Sequence, residues 1–156
     1  MFSSGKIYIN ASRFISKMVI DINPAALIGL RLVLGIVFFV SGLLKLPDLK
    51  GFYIIVVRFN IIKGLLAKSF AYALPFAEIV IGFSLIFAYQ VKIASIIALI
   101  MLINSTFALI YVLIKKKKLD NCGCYGTALK VPVSWGKVIE NLVWLILTIL
   151  LVIGSL

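Results

Sequence analysis

From Ile93 to Ile114 the chain reads IASIIALIMLINSTFALIYVLI, a run without a single charge. As a helix it would rise about 33 Å, enough to cross the roughly 30 Å hydrocarbon core of a bilayer. Three more segments have comparable length and polarity: about Ala25 to Leu44, Ala71 to Tyr89 and Lys137 to Ile153. With 63% hydrophobic residues in 156, a soluble domain could not cover its apolar surface. The expected fold is all-α: one integral membrane domain, residues 1–156, built as a bundle of four transmembrane helices.

Two further helices are expected outside the spans. Phe14, Met18 and Ile22 recur at helical spacing among Lys6, Arg13 and Lys17, which predicts an amphipathic N-terminal helix over residues 1–24 rather than a cleavable signal peptide. Asn23 and Pro24 then form a start signal for the first span. Residues 52–66, FYIIVVRFNIIKGLL, are apolar but broken by Arg58, Asn60 and Lys63. They read as an interfacial or re-entrant helix between spans 1 and 2. Pro75 falls in the first turn of the second span, where proline is tolerated. Gly35, Ser41 and Gly42 offer small surfaces for a neighbouring helix.

Sixteen Lys and Arg stand against five Asp and Glu. No soluble basic segment with aromatic residues carries them, so they speak for the lipid bilayer and not for nucleic acid. With four spans, Lys45, Lys50, Arg58, Lys63, Lys68, Lys115 to Lys118, Lys130 and Lys137 share the face of the polar loop that follows Ile114. Lys6, Arg13, Lys17 and Lys92 occupy the other face. That bias predicts a cytoplasmic loop face, with both termini outside.

Chemistry is confined to few side chains. Histidine is absent, which removes the commonest general base and metal ligand. The two cysteines lie in LDNCGCYGT, residues 119–127. Helical rise places Lys45, Asp48, Glu78, Asp120, Cys122, Cys124, Glu140 and Asn141 at one end of the bundle, with Arg31 nearer the other end and Asn104 near mid-span. Glu78 and Arg31 are ionisable groups within spans and need partners. For Glu78 these are a salt bridge to Lys45, or proton exchange beside the thiols. Asn104 is expected in an interhelical hydrogen bond.

Three readings of Cys122 and Cys124 compete on the residues alone. Thiol–disulfide exchange needs a thiolate and a resolving thiol close by, and spacing across one glycine supplies proximity. A metal site would need two copies of the loop to reach four sulfurs. A glycine-rich turn with incidental thiols is the third. The oligomeric state stays open, and a homo-oligomer is compatible with the sequence.

RLVLGIVFFVSGLLKLPD (residues 31–48) and LPFAEIVIGFSL (residues 74–85) resemble the DoxX-like group of small four-span membrane proteins. NCGCYG, followed by VPVSW and ENL at the last span, resembles its MauE branch, with Tyr125 where phenylalanine is expected. The resemblance implies membrane redox work: maturation of a disulfide-rich subunit of a methylamine dehydrogenase in the MauE branch, and sulfur or thiol metabolism in DoxX-like relatives, some with quinone as electron partner. By position it implies a site of Cys122 and Cys124 with Arg31, Lys45 and Glu78. The resulting expectation is a small membrane protein that performs or assists thiol–disulfide exchange with a thiol- or disulfide-bearing partner, with quinone as its candidate cofactor. In principle this is similar to the four-helix vitamin K epoxide reductase type, which has two residues between its cysteines. The rivals are a non-enzymatic assembly subunit, and a small-solute or lipid transporter using Glu78 and Asn104.

Overall fold

The computed structural model of the chain describes residues 24–62, 64–115, 121–128 and 131–155. The expected N-terminal amphipathic helix, the Asn23 cap, Lys63, Asp120, Lys116 to Lys118 and Lys130 lie outside the described residues. Every regular element described is helical: α1 Pro24–Lys45, a 3-10 turn Leu46–Asp48, α2 Leu49–Phe59, α3 Gly64–Ile86, α4 Val91–Ile114 and α5 Trp135–Gly154. Four helical stretches are long and apolar enough to cross a membrane, the first of them containing α1 and the others being α3, α4 and α5. At eleven residues, α2 rises only about 16 Å.

The outer surface agrees with a lipid environment. Ile28, Leu32, Ile36 and Val40 form an exposed stripe on α1; Ile93, Ile96, Ile100, Ile103 and Phe107 do so on α4; Ile139, Leu142, Ile146 and Ile149 do so on α5. The exposed stripes repeat at three to four residues, a helical period turned outward. Water would penalise that surface heavily, whereas acyl chains accept it.

Inside, Leu34, Phe38, Ile81, Leu85, Ala94, Ala98 and Leu151 form one buried cluster. α1 packs most extensively on α3, and α4 on α5. The α1/α3 pair approaches closely because glycines meet. A Cβ on Gly82 would stand 2.5 Å from the Phe39 amide nitrogen and 2.7 Å from the Gly35 carbonyl oxygen, and one on Gly42 would stand 2.7 Å from the Pro75 carbonyl oxygen. Such backbone-to-backbone approach supplies the dispersion contacts that hold helices together in lipid. Gly35 and Gly42 thus serve as expected.

Element boundaries depart from expectation in one region. α2 begins earlier than residue 52 because the Asp48 carboxylate accepts the Gly51 amide at 2.8 Å and caps it. It ends at Phe59 because Asn60 turns left-handed, φ 56°. α3 then starts at Gly64 rather than Ala71 and stops at Ile86 rather than Tyr89. Lys68 did not delay the helix, since a long basic side chain can stay exposed at a span end. Pro75 consequently lies in the helix interior and not in its first turn. The early turns of α3 run beside α2.

Between the helix pairs lies a cavity of about 520 Å³, with apolar walls that include Leu34, Phe38, Phe59, Leu102, Phe107 and Trp144. Its polar end is closed by the cysteine loop.

Candidate functional site

Ser41 and Lys45 stand one helical turn apart on α1, and therefore on one face. The Lys45 side chain is 2% exposed and fully occupied. Its ammonium donates to the two Glu78 oxygens at 2.6 and 2.9 Å, to Ser41 Oγ at 2.7 Å, and to the Cys124 carbonyl oxygen at 2.8 Å. An ammonium has three protons, and the three groups it approaches within 3 Å account for them, with the Ser41 carbonyl oxygen farther off at 3.4 Å. The Phe52 ring, its centroid 5.7 Å from Nζ, closes the remaining side. Ser41 Oγ in turn donates to the same Cys124 carbonyl at 2.8 Å. That carbonyl thus receives two donors, both from α1.

The loop is shaped by its own sequence. Asn121 Oδ1 accepts the Gly123 amide at 3.0 Å, and Asn121 Nδ2 donates to the Gly126 carbonyl at 2.9 Å, so one side chain brackets the turn. Gly123 and Gly126 have φ of 74° and 64°, a region that favours glycine. Gly126 is needed twice over, because a Cβ there would meet Leu44 O and Lys45 Cα at 3.0 Å. The Cys122 amide donates to Val131 O at 2.7 Å and draws the two loop strands together.

Both thiols are free. Cys122 is buried against Leu109 of α4 and Val138 of α5, while Cys124 is half-buried. The Cys124 amide donates to Cys122 Sγ at 3.2 Å. The Cys122 thiol is lowered to about 7, chiefly because the Cys124 thiol donates to it; burial opposes this, and the Cys124 amide and the nearby Lys137 charge assist. Cys124 is pushed up in return, as the donor to Cys122 and by burial. One thiol is thus prepared to ionise and the other to hold its proton.

Beside the thiols, Lys137 pairs with Glu140 at 2.6 Å and lies 4.7 Å from the Tyr125 ring centroid, and the Tyr125 hydroxyl reaches Glu140 at 3.5 Å. Ser134 caps α5, accepting the Lys137 amide at 3.4 Å. Asn141 donates to Ser105 at 3.1 Å and to Thr106 at 3.5 Å, tying α5 to α4.

Of the residues singled out in the sequence, Lys45, Glu78, Cys122, Cys124, Glu140 and Asn141 all line the polar end of the cavity. Two others do not join them. Asp48 is exposed and spends its carboxylate on the α2 cap. Arg31 lies fourteen residues before Lys45 on α1, and its buried Nε has no hydrogen-bond partner among the described residues. Asn104 is exposed at the cavity wall, and it is Asn141 that makes the interhelical bond. Ser41, Asn121 and Lys137 escaped sequence reasoning as site residues. Ser41 was legible from its spacing to Lys45, and Lys137 from its spacing to Glu140. Among the described residues no group of three His, Cys, Asp or Glu side chains could hold a metal ion.

Comparison with known proteins adds the family. Residues 23–154 match the family described as methylamine utilisation protein MauE. Methylamine utilization protein MauE of Paracoccus denitrificans is 30% identical over 133 residues, covering 85% of this chain and 72% of that protein. No solved structure matches. With nearly all the described chain inside the match, and the NCGCYG loop seated on its first and last spans, this protein belongs to the MauE family.

Proposed function

We propose that this protein is a membrane accessory protein of methylamine utilisation that exchanges disulfides through Cys122 and Cys124. The carrying observation is the asymmetry of the pair. Cys122 sulfur accepts the Cys124 amide, while Cys124 is fastened by its carbonyl to Lys45 and Ser41. The Cys122 thiolate attacks one sulfur of a partner protein's disulfide, and the partner's other sulfur leaves as thiolate. The Cys124 sulfur then attacks Cys122 in the mixed disulfide and releases the partner's second sulfur, the Cys124 proton passing to a departing thiolate. Two electrons reduce the partner, and the pair is left as a disulfide; the reverse sequence oxidises a partner dithiol. Glu78, with both oxygens on Lys45, serves to hold the ammonium against the loop.

A quinone suits the same cavity. Its aromatic and aliphatic walls are open to a lipid-soluble ring, its volume is within the usual range for small-ligand sites, and the thiols lie at its polar end. When bound, a quinone supplies a two-electron, two-proton acceptor for the dithiol. Phe38, Phe52, Phe59 and Trp144 would flank it.

Trapping tests the exchange reading. In Cys124→Ser the mixed disulfide cannot be resolved, so a covalent adduct between Cys122 and a partner protein should accumulate on non-reducing gels. The adduct should vanish in Cys122→Ser. Full methylamine-dependent growth of the double serine variant would sink the proposal and favour a non-enzymatic assembly subunit.

A further inference from the structure

We propose that Lys137 is a second activating group for Cys122, acting beside the Cys124 donor: its ammonium stabilises the thiolate, and Glu140 is the partner that competes for that charge. This deepens the thiol–disulfide reading and rests on it.

The position of Lys137 is unfavourable on helix grounds. It stands three residues after the Ser134 cap, where the amides of the first turn present positive partial charge and acidic residues are preferred. It is also only 6% exposed, and a buried ammonium loses hydration. Its placement therefore calls for a local negative charge. Glu140 supplies one, but the Glu140 side chain is 44% exposed and reaches solvent. Among the described residues it is the one hydrogen-bond acceptor of the ammonium, so two of three N–H groups lack a fixed protein partner.

The surroundings place that ammonium beside the thiol loop. Tyr125, whose ring lies 4.7 Å beneath it, directly follows Cys124, and Val138, the next residue of α5, packs on Cys122. The other groups facing the pair are already committed. From α1 Lys45 has every proton assigned, from α3 Glu78 is held by Lys45, and α2 and α4 present Phe52, Ile55 and Leu109. Among the described residues facing the pair, Lys137 is thus the cation with capacity to respond when charge develops on sulfur. The Tyr125 hydroxyl, 3.5 Å from Glu140, offers the carboxylate an alternative contact.

The test is the pH dependence of iodoacetamide alkylation at Cys122, read by site-resolved mass spectrometry on the full chain in lipid nanodiscs. In Lys137→Met the midpoint should rise by about one pH unit, slowing alkylation at neutral pH roughly fivefold. Lys137→Arg should stay near the parent, and Glu140→Gln should lower the midpoint. A Lys137→Met profile that overlies the parent would overturn the proposal, as would Arg shifting as far as Met, which a purely structural role produces. Should Lys137→Met fail to fold, Glu140→Gln decides, and an unchanged midpoint there counts against it. Alkylation requires no partner protein. Shifted midpoints without any trapped adduct would therefore refute the exchange reading while leaving the activation intact.

Discussion

The Lys45 ammonium donates to the Cys124 carbonyl at 2.8 Å while Glu78 holds the same ammonium at 2.6 Å, so an intramembrane ion pair is bonded directly to the backbone of the thiol loop. Burying an unpaired charge costs several kcal/mol, and breaking a buried pair by removing one partner typically costs about 3–5 kcal/mol. Lys45→Met should accordingly destabilise the protein by about that much and release the loop. Glu78→Gln should do the same to a smaller degree, because an amide can still accept from Lys45. Thermal unfolding in detergent measures the first effect, and faster alkylation of Cys124 reports the second.

The thiols should titrate apart. Cys122 is lowered to about 7, so its thiolate fraction, and with it the alkylation rate, should climb as pH rises through neutrality. Cys124 is shifted upward and should remain protonated over that interval. Cys124→Ala removes the thiol donor, and the Cys122 midpoint should then move up toward the ordinary thiol range. A midpoint unchanged by Cys124→Ala would show that the two sulfurs do not communicate.

Gly126 should not tolerate a side chain. Its φ of 64° and the 3.0 Å approach to Leu44 O and Lys45 Cα both oppose a Cβ. Gly126→Ala should cost about 1–3 kcal/mol and unseat the loop from α1, measured as a lower unfolding temperature together with faster Cys124 labelling. Gly82→Ala meets backbone at 2.5 Å and should destabilise the α1/α3 pair by a similar amount, with less effect on Cys122 reactivity.

Much of this arrangement could be read from the chain. Apolar run length gave the four spans, and helical rise brought Lys45, Glu78 and the cysteines to one end. Sequence periodicity was less able to place α3, because Gly64 to Phe70 is apolar enough for either a loop-side helix or an extension of the span. The decision fell to the left-handed Asn60 and to packing beside α2. Asp48 looked like a site acid because it is close in sequence to Lys45, yet capping a short helix claimed its carboxylate. Lys137 looked like a topology charge, since its burial depends on where Tyr125 and Glu140 fold. Asn104 and Asn141 are indistinguishable by composition; only the facing of α4 and α5 assigns the hydrogen bond to Asn141.

Charge bias around the loops leads us to propose that the cysteine loop faces the cytoplasm. Cys122 is too buried to report this well, so exposed Ser134 is the better probe. In a double serine background, Ser134→Cys should resist a membrane-impermeant maleimide on intact cells and react after permeabilisation. Prompt labelling of intact cells would place the loop outside.

The exchange reading stands or falls on whether Cys122 and Cys124 cycle together. Membranes equilibrated in a series of glutathione redox buffers, quenched by alkylation and analysed by peptide mass spectrometry, give the answer. The expected result is a Cys122–Cys124 disulfide that appears in a single two-electron transition, both thiols disappearing in step. Two thiols that stay alkylatable throughout, or that are oxidised separately as glutathione adducts, would contradict it.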